Sequence, residues 1–356
     1  MNLRQFSPYK ILYHIPTILE ILSGKNPFPV SCEIDPSNYC NHSCEWCYFV
    51  ESRESHLTSI PREILLRVVE ELAKGGTKAI TFTGGGEPLL NEATLPAIEK
   101  ASAHGIKIGL VSNGALLDKE KCEFVVKHCS FVRFSVDAGS SKTFEAVHRP
   151  KNPKTDNFDK IMQNLSYLVE AKKRIEKEMP IGIGFVVHPK NYEEIYLAAE
   201  LFKKIGADYF QLRPVFSPDN TLSMTEVWLK AAEFIDKSLN LNDTSYQVLP
   251  IQRRFDEIMG AKRRYSQCLI HSLLAVVGAD ARLYLCSIFR GSDKFVLGDL
   301  RKESFEKIWN GERRNLAIQS IDVNKCPACR YAVYNEIMDY LDEGKILKEQ
   351  FHVDFL

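Results

Sequence analysis

The sequence carries no net charge and has no long apolar run. Its 46 basic residues match its 46 acidic residues, so the formal net charge at pH 7 is zero. A balanced chain has no electrostatic reason to bind nucleic acid or an anionic membrane surface, so a small or neutral substrate is the expected partner. No stretch of about 18 apolar residues and no N-terminal segment typical of a signal peptide occurs. We therefore predict a cytoplasmic protein without a membrane span.

Internal repeats and low-complexity tracts are also absent from the sequence, which argues against a solenoid. The 356 residues are enough for one large α/β domain with a smaller appendage. Ten cysteines in a reducing compartment indicate metal ligation rather than a disulfide framework. Seven of the ten lie in two groups, one near each end of the chain.

The first group is a C-x3-C-x2-C triplet formed by Cys40, Cys44 and Cys47. Three thiolates in one short loop can hold a compact iron–sulfur cluster of four irons and leave one iron open. An open coordination position allows a metal site to bind a substrate or cofactor, whereas a closed site is structural. A zinc site is the alternative, although zinc sites usually have two separated pairs of ligands.

Strand-like and helix-like segments alternate between Val30 and Leu239, which is the pattern of a parallel sheet covered by helices. Six βα units predict an α/β fold, a partial (β/α)6 TIM-like barrel with a small C-terminal auxiliary domain of a β-hairpin and helices. The predicted parts are an N-terminal lead-in (1–29), the barrel (30–240), a connector (241–264), the auxiliary domain (265–330) and a C-terminal helix (331–356).

Short polar residues end several of the predicted strands. In such barrels the chemistry lies at the C-terminal mouth, where these side chains would meet a ligand. The residues in question are Gly85, Gly86 and Glu87 after the second strand, Ser112 and Asn113 after the third, and Ser135 and Asp137 at the end of the fourth. A tight turn or a helix N-cap is the structural alternative for each of them.

Charged residues with lumen-facing parity form a further set. Glu33 has this parity on the first strand, and Gln211 and Arg213 share it on the sixth. A guanidinium inside a barrel needs a partner, because burying it alone costs several kcal/mol. His188 ends the fifth strand, where it acts as a base or, more commonly, caps the strand. We take Arg213, His188 and Glu33 as candidate catalytic residues.

The second cysteine group has four members: Cys268, Cys286, Cys326 and Cys329. Four thiolates complete a closed site, and a β-hairpin is predicted between the first two. A zinc ribbon is the alternative, but ribbons pair two C-x2-C knuckles, and the first two cysteines are much farther apart. The remaining three cysteines are predicted to be buried as small apolar residues: Cys32, Cys122 and Cys129.

The triplet, with the aromatic Trp46 before its last cysteine, resembles the cluster loop of radical S-adenosylmethionine (SAM) enzymes. In that family the open iron of a [4Fe-4S] cluster chelates the amino and carboxylate groups of SAM. Reductive cleavage of SAM then gives a 5'-deoxyadenosyl radical that abstracts hydrogen from the substrate. The resemblance implies an electron donor of the flavodoxin or ferredoxin type.

The resemblance also implies which residues contact SAM. Gly85, Gly86 and Glu87 resemble the GGE motif that holds the SAM amino group, and Trp46 is expected near the adenine. The full set of expected contacts is Trp46, Tyr48, Gly85, Gly86, Glu87, Ser112, Asn113, Ser135, Asp137 and Gln211. The expected partner of Arg213 is the SAM carboxylate, a polar substrate or Glu33.

The C-terminal segment resembles the SPASM and twitch extensions of radical SAM enzymes, except that Ala281 stands where glycine is usual. The shorter twitch form, as in enzymes of the 2-deoxy-scyllo-inosamine dehydrogenase type, holds one auxiliary [4Fe-4S] cluster on four cysteines. Such a cluster can accept an electron from a substrate radical. The leading hypothesis is therefore oxidation of a sugar or cyclitol alcohol to a ketone.

Three alternatives remain open at this point. A cysteine that returns hydrogen to the substrate radical would make the protein an epimerase, although no cysteine outside the two groups is expected in the lumen. Modification of a ribosomally made peptide is possible in this family, but residues 1–29 are too few for a peptide-recognition domain. A cluster-bearing regulatory protein without turnover would form no 5'-deoxyadenosine.

Overall fold

Parallel strands alternate with helices along most of the chain. The computed structural model describes residues 6–47, 49, 56–215, 224–251, 255 and 262–342. The strands are β1 (Ser31–Ile34), β2 (Ala79–Phe82), β3 (Lys107–Ser112), β4 (Phe131–Ser135), β5 (Ile181–Val187), β6 (Tyr209–Pro214), β7 (Gln247–Pro250), β8 (Leu274–Val277), β9 (Arg282–Tyr284) and β10 (Val296–Asp299).

The α-helices lie between and after these strands. They are α1 (Ile15–Leu22), α2 (Arg62–Lys74), α3 (Thr94–Ala103), α4 (Lys119–His128), α5 (Ser141–His148), α6 (Phe158–Ile175), α7 (Ile195–Ile205), α8 (Met224–Leu239), α9 (Phe305–Trp309), α10 (Glu312–Gln319) and α11 (Ala332–Tyr340). Short 3-10 helices cover Pro8–His14, Pro88–Leu90, Tyr192–Glu194, Ile270–Ser272, Asp293–Phe295 and Val323–Lys325.

All ten strands belong to one sheet, in the order β10-β9-β8-β1-β2-β3-β4-β5-β6-β7. The strands from β1 to β7 pair in parallel with their sequence neighbours, and β8 adds in parallel to the other side of β1. β9 and β10 continue the sheet as antiparallel strands. The predicted fold class, a partial barrel with a C-terminal hairpin domain, is confirmed. The seventh parallel strand lies within residues 241–264, which we predict only as a connector.

Alternation along the strands separates a helix-covered face from a polar lumen. In β4 the side chain of Phe134 is fully buried, whereas Arg133 and Ser135 lie on the opposite face and are partly accessible. The register pairs Arg133 with Gly182 and Ser135 with Gly184. These two glycines on the lumen face of β5 leave room for long side chains from the neighbouring strands.

The two ends of the described chain pack against each other. α1 and α11 share a small apolar cluster in which Ile18 and Met338 are completely buried. Asn335 of α11 accepts hydrogen bonds from the N–H groups of Leu269 and Ile270 at 2.7 and 3.0 Å. α11 covers the first part of the predicted C-terminal helix (331–356), of which residues 343–356 lie outside the described residues. It fixes the backbone next to the second cysteine group.

The turn between β8 and β9 shows why glycine is the usual residue where this chain has Ala281. Ala281 has a φ of 57°, in the left-handed region that costs about 1–2 kcal/mol for a residue with a Cβ. Its N–H donates to the carbonyl of Gly278 at 2.9 Å and closes the turn. Glycine would adopt this conformation without that cost.

Replacement of Trp309 should destabilise the fold. Its buried indole donates a hydrogen bond to the carbonyl of Pro27 (2.9 Å) and lies under the Arg314 guanidinium, so it joins the lead-in to the auxiliary domain. Truncation of a buried Trp to Ala costs about 3–5 kcal/mol. We expect W309A to lower the urea midpoint in circular dichroism strongly and W309F to lower it less. L316A, on an exposed side chain of α10, is the control, and an equal loss in it would refute the role of the indole.

Candidate active site

The glycine turn after β2 contacts the cysteine loop directly. The N–H of Glu87 donates to the carbonyl of Tyr39 at 2.8 Å, next to Cys40. A Cβ atom on Gly86 would lie 2.1 Å from the same carbonyl oxygen, so only glycine fits there. The loop that carries the cysteine triplet is therefore held against the C-terminal edge of the barrel at this point.

Glu87 is buried at the centre of a hydrogen-bond network. Its Oε1 accepts from the Ser112 hydroxyl (2.8 Å) and the Leu89 N–H (3.2 Å), and its Oε2 accepts from the Asn113 N–H (2.8 Å). Burial raises the pKa of Glu87 to about 7, although these donors favour the carboxylate. The three predicted residues Glu87, Ser112 and Asn113 thus form one unit, and Asn113 also donates from Nδ2 to Asn41 of the cysteine loop (2.7 Å).

Trp46 is held between two predicted site residues. Its indole N–H donates to Asp137 Oδ2 at 3.3 Å, and its ring stacks on His188 with centroids 4.4 Å apart. His188 Nδ1 accepts the Lys190 N–H at 3.2 Å, which matches the structural role of a strand cap. Asp137 also accepts the Val186 N–H (2.7 Å), and burial raises the pKa of Asp137 to about 6.

Cys44 lies beside two buried histidines. His148 accepts a hydrogen bond at Nε2 from the Asp137 N–H (2.8 Å), so the proton of its neutral ring is on Nδ1, 3.3 Å from Cys44 Sγ. The ligand atoms of His42, Cys44 and His148 lie within 4.8 Å of one another. Burial lowers the pKa of His42 to about 4 and that of His148 well below its usual value, so both rings are neutral at pH 7.

The lumen carboxylate Glu33 is bound by the two residues that follow Cys329. Arg330 forms an ion pair with Glu33 Oε1, and the Tyr331 hydroxyl donates to the same oxygen at 2.8 Å. Arg330 also donates to the Ser287 hydroxyl at 3.1 Å. Burial disfavours the charge, but Arg330 and the two hydrogen bonds outweigh it and keep the pKa of Glu33 below its usual value. The auxiliary domain therefore reaches into the barrel and holds an ionised carboxylate there.

Two arginines lie on the opposite side of the lumen. Arg133 Nη1 donates to Gln211 Oε1 at 3.0 Å. A Cβ on Gly184 would be 2.8 Å from Arg213 Nη2 and 3.5 Å from Arg133 Nε, so both guanidinium groups occupy the space that this glycine leaves. The charge of Arg213 also acts on Asp137 and lowers the pKa that burial raises.

Asp35 connects the glycine turn to the auxiliary domain. Its carboxylate accepts the Gly85 N–H at 3.0 Å and pairs with Arg290, whose guanidinium lies 4.8 Å from the ring centroid of Phe49. Burial raises the pKa of Asp35 to about 6. A cavity of about 300 Å3 separates these groups from Gly278 and its neighbours in the β8–β9 turn.

The second group of cysteines comes together in the structure. Burial and the neighbouring thiols of Cys329 and Cys286 raise the pKa of Cys268 to about 12, and Cys326 contributes in the same direction. The other three thiols of the group thus all act electrostatically on Cys268. Cys268 and Cys329 pack against a small apolar cluster around Tyr265. All ten cysteines are free thiols.

The structure therefore brings most predicted residues to one end of the barrel. Ser135 and Gln211 lie within the strands, where each pairs with Gly184 of β5. Tyr48 is outside the described residues. Cys32, Cys122 and Cys129 are buried, as predicted. The sequence interpretation missed four site residues: Arg290, Arg330, Tyr331 and His148. For Arg330 and Tyr331, the signal in the sequence was their position directly after Cys329.

Comparison with known proteins defines the class. The model of the radical SAM superfamily matches residues 34–204, and that of the SPASM iron–sulfur cluster-binding domain matches residues 268–330. The chain belongs to the radical SAM superfamily and carries a SPASM domain. Its cofactors are thus SAM and [4Fe-4S] clusters. The residues fit them: free thiols on one loop, a glycine at position 86 that lets the turn after β2 approach this loop, and a buried acceptor at Glu87.

Several relatives share part of the sequence. A UPF0026 protein of Helicobacter pylori is 28% identical over 265 residues, 72% of this chain and 82% of that protein. An S-adenosylmethionine-dependent nucleotide dehydratase of Flammeovirga pacifica is 33% identical over 37% of this chain and 47% of its own length. The sporulation killing factor maturation protein SkfB of Bacillus subtilis is 26% identical over 51% of this chain. The chain spans 47% and 42% of the lengths of the latter two.

Solved structures show the same fold. SuiB of Streptococcus suis, bound to its precursor peptide SuiA, superposes with a TM-score of 0.65 over 88% of this chain and 72% of SuiB, at 16% identity. anSMEcpe with bound AdoMet has a TM-score of 0.62 over 86% of this chain and 88% of that one, at 19% identity. Within the described residues, helices long and apolar enough to cross a membrane are not found.

SAM binding should depend on pH through Glu87. If Glu87 accepts hydrogen bonds from the SAM amino group, its ionised form is the binding form, and with a pKa of about 7 the ionised fraction rises about tenfold from pH 6 to pH 8. We expect the dissociation constant for SAM, measured by calorimetry on the anaerobic protein, to fall by up to that factor over this range. Glu87→Gln should bind SAM weakly at both pH values, and an unchanged slope in this variant would exclude Glu87 as the titrating group.

Proposed function

We propose that this protein oxidises an alcohol group of a sugar-like or cyclitol-like small molecule to a ketone. One observation carries the proposal. Arg330 and Tyr331, directly after Cys329, contact the lumen carboxylate Glu33. A substrate in the lumen would therefore lie next to the chain segment that holds the auxiliary cluster, as removal of an electron from that substrate requires.

The balance of the reaction is simple. When bound, SAM and the clusters would supply the redox chemistry: one-electron cleavage of SAM to methionine would provide the radical that takes a hydrogen atom from the substrate carbon, and a cluster held by Cys268, Cys286, Cys326 and Cys329 would provide the acceptor for one electron. The substrate then loses its hydroxyl proton. The alcohol thus gives up two electrons and two hydrogen nuclei and becomes a ketone.

Glu33 is the residue best placed to receive that proton. Its Oε1 is occupied by Arg330 and Tyr331, whereas its Oε2 is buried and has no hydrogen-bond partner among the described residues. A buried carboxylate oxygen without a donor costs free energy, and a substrate hydroxyl would satisfy it. Arg330 keeps the carboxylate ionised, so that Oε2 is free to accept a hydrogen bond from the substrate hydroxyl. Arg213, across the lumen, remains a proposed substrate or SAM contact.

Product analysis of the wild type and Cys329→Ala tests the proposal. Reconstituted protein with SAM and dithionite should form one 5'-deoxyadenosine for each ketone from a panel of sugars, cyclitols and their phosphates. Cys329→Ala should still form 5'-deoxyadenosine but lose nearly all ketone, because the substrate radical has no electron acceptor. Cys122→Ala removes a buried thiol outside both groups and is the control.

Two outcomes would contradict this proposal. Substrate recovered at its original oxidation state with one deuterium from solvent would establish epimerisation. Equal ketone yields from the wild type and Cys329→Ala would remove the auxiliary cluster from the reaction.

Modification of a ribosomally made peptide is the second candidate function. SkfB, a maturation protein, is among the relatives in sequence, and SuiB, which binds a precursor peptide, shares the fold. A short peptide encoded beside this gene, added to the reconstituted protein, would decide the matter. A mass change in that peptide with formation of 5'-deoxyadenosine would favour this candidate.

A further inference from the structure

Three arginines of the lumen each interact with a carboxylate. Glu33 pairs with Arg330, and Asp35 pairs with Arg290. Asp137 interacts with Arg213.

Arg133 is the exception. Among the described residues no carboxylate lies within 4 Å of its guanidinium, and its one hydrogen-bond partner is the neutral amide of Gln211. Its Nε atom is buried and has no partner in the described chain. A buried N–H group without an acceptor costs free energy, and an anion beside the guanidinium would supply that acceptor.

The position of Arg133 in the barrel indicates which ligand it serves. Arg133 precedes Asp137 by four residues, about 13 Å along the strand, and thus lies below the mouth where the cysteine loop and the glycine turn meet. Its charge interacts with that of Glu33 across the lumen. A ligand that donates a hydroxyl to Glu33 Oε2 would therefore have Arg133 at its far side.

We propose that the substrate carries an anionic group, a phosphate or a carboxylate, which pairs with Arg133 while the reacting hydroxyl faces Glu33. This inference rests on the proposed function, because it uses Glu33 as the hydroxyl partner. Gln211 Oε1 accepts one N–H of the guanidinium, from Nη1, and so orients the group. The remaining N–H groups are left for an anion with two oxygen atoms. The guanidinium lies beside Gly184, where a Cβ would be at an ordinary contact distance of 3.5 Å from Arg133 Nε.

Equilibrium binding of small anions tests the proposal without turnover. Inorganic phosphate and acetate are titrated into the reconstituted protein with SAM but without reductant, at constant ionic strength, and binding is followed by calorimetry. We expect at least one anion to bind the wild type and to bind Arg133→Gln about 30-fold or more weakly, as for loss of one partner of a buried charge pair. The stronger of the two anions identifies the group as phosphoryl or carboxylate.

Two further variants keep the test decisive. Arg133→Lys retains the charge and should retain part of the anion affinity, whereas Arg174→Gln removes an exposed arginine of α6 that pairs with Glu123 and should change nothing. Equal affinity in the wild type and Arg133→Gln, or no binding of either anion to the wild type, would overturn the proposal. Because no reductant is present, failure to oxidise an alcohol leaves this result unaffected.

His148 contacts the middle cysteine of the triplet, Cys44. The Asp137 N–H fixes the His148 tautomer by donating to Nε2 (2.8 Å), and His148 Nδ1 lies 3.3 Å from Cys44 Sγ. The imidazole is 2% exposed and stacks on Phe144 with centroids 4.6 Å apart. We infer that His148 is a positioning residue whose N–H···S hydrogen bond raises the reduction potential of the cluster that the triplet holds.

Redox titration followed by electron paramagnetic resonance tests this role. His148→Phe keeps the aromatic packing but removes the N–H, so the midpoint potential of the cluster should shift to a more negative value. His148→Gln offers an amide N–H and should recover part of the shift. His128→Gln, on α4 away from the triplet, is the control. An unchanged midpoint potential in both His148 variants would show that the contact is only structural.

Discussion

The ion pair between Glu33 and Arg330 is the interaction on which the rest of the site depends. A carboxylate on the first strand of a barrel cannot stay ionised inside the lumen unless a cation is brought to it. The chain supplies that cation from the residue after Cys329, at the other end of the sequence. Docking of the auxiliary domain onto the barrel therefore favours ionisation of Glu33, to which Arg290 also contributes.

A second constraint fixes the mouth of the barrel. Gly86 allows the turn after β2 to lie against the carbonyl of Tyr39, and Asp35 accepts the N–H of the neighbouring Gly85. These contacts hold the turn after β2 against the cysteine loop through backbone groups and against the end of β1 through the Asp35 carboxylate. Glu87 consequently presents its carboxylate from a rigid frame, and its high pKa reflects burial rather than the absence of donors.

The sequence alone predicts the parts of this site that depend on local pattern. Spacing locates Cys40 and its two companions, and alternation assigns Glu33 and Arg213 to the lumen. It does not predict the Glu33–Arg330 contact, because no local rule relates residues 297 positions apart. Nor does it predict the contact of His148 with Cys44, because a histidine at the end of a helix is common and only the fold brings these two residues together. Strand β7 was missed because its four residues lie in a polar segment.

The position of charges and of thiols in the fold says more about the ligand and the reaction than their number in the sequence does. A net charge of zero suggests a neutral ligand, yet Arg133 lies in the lumen with a neutral amide as its hydrogen-bond partner among the described residues, and the local field rather than the net charge selects a ligand. Cys32 is 1% exposed, and burial raises its pKa well above normal; its strand neighbour Glu33 faces the lumen, so Cys32 faces the helices. Outside the two cysteine groups, the described lumen holds no thiol that could return hydrogen to a substrate radical, which favours electron loss over epimerisation.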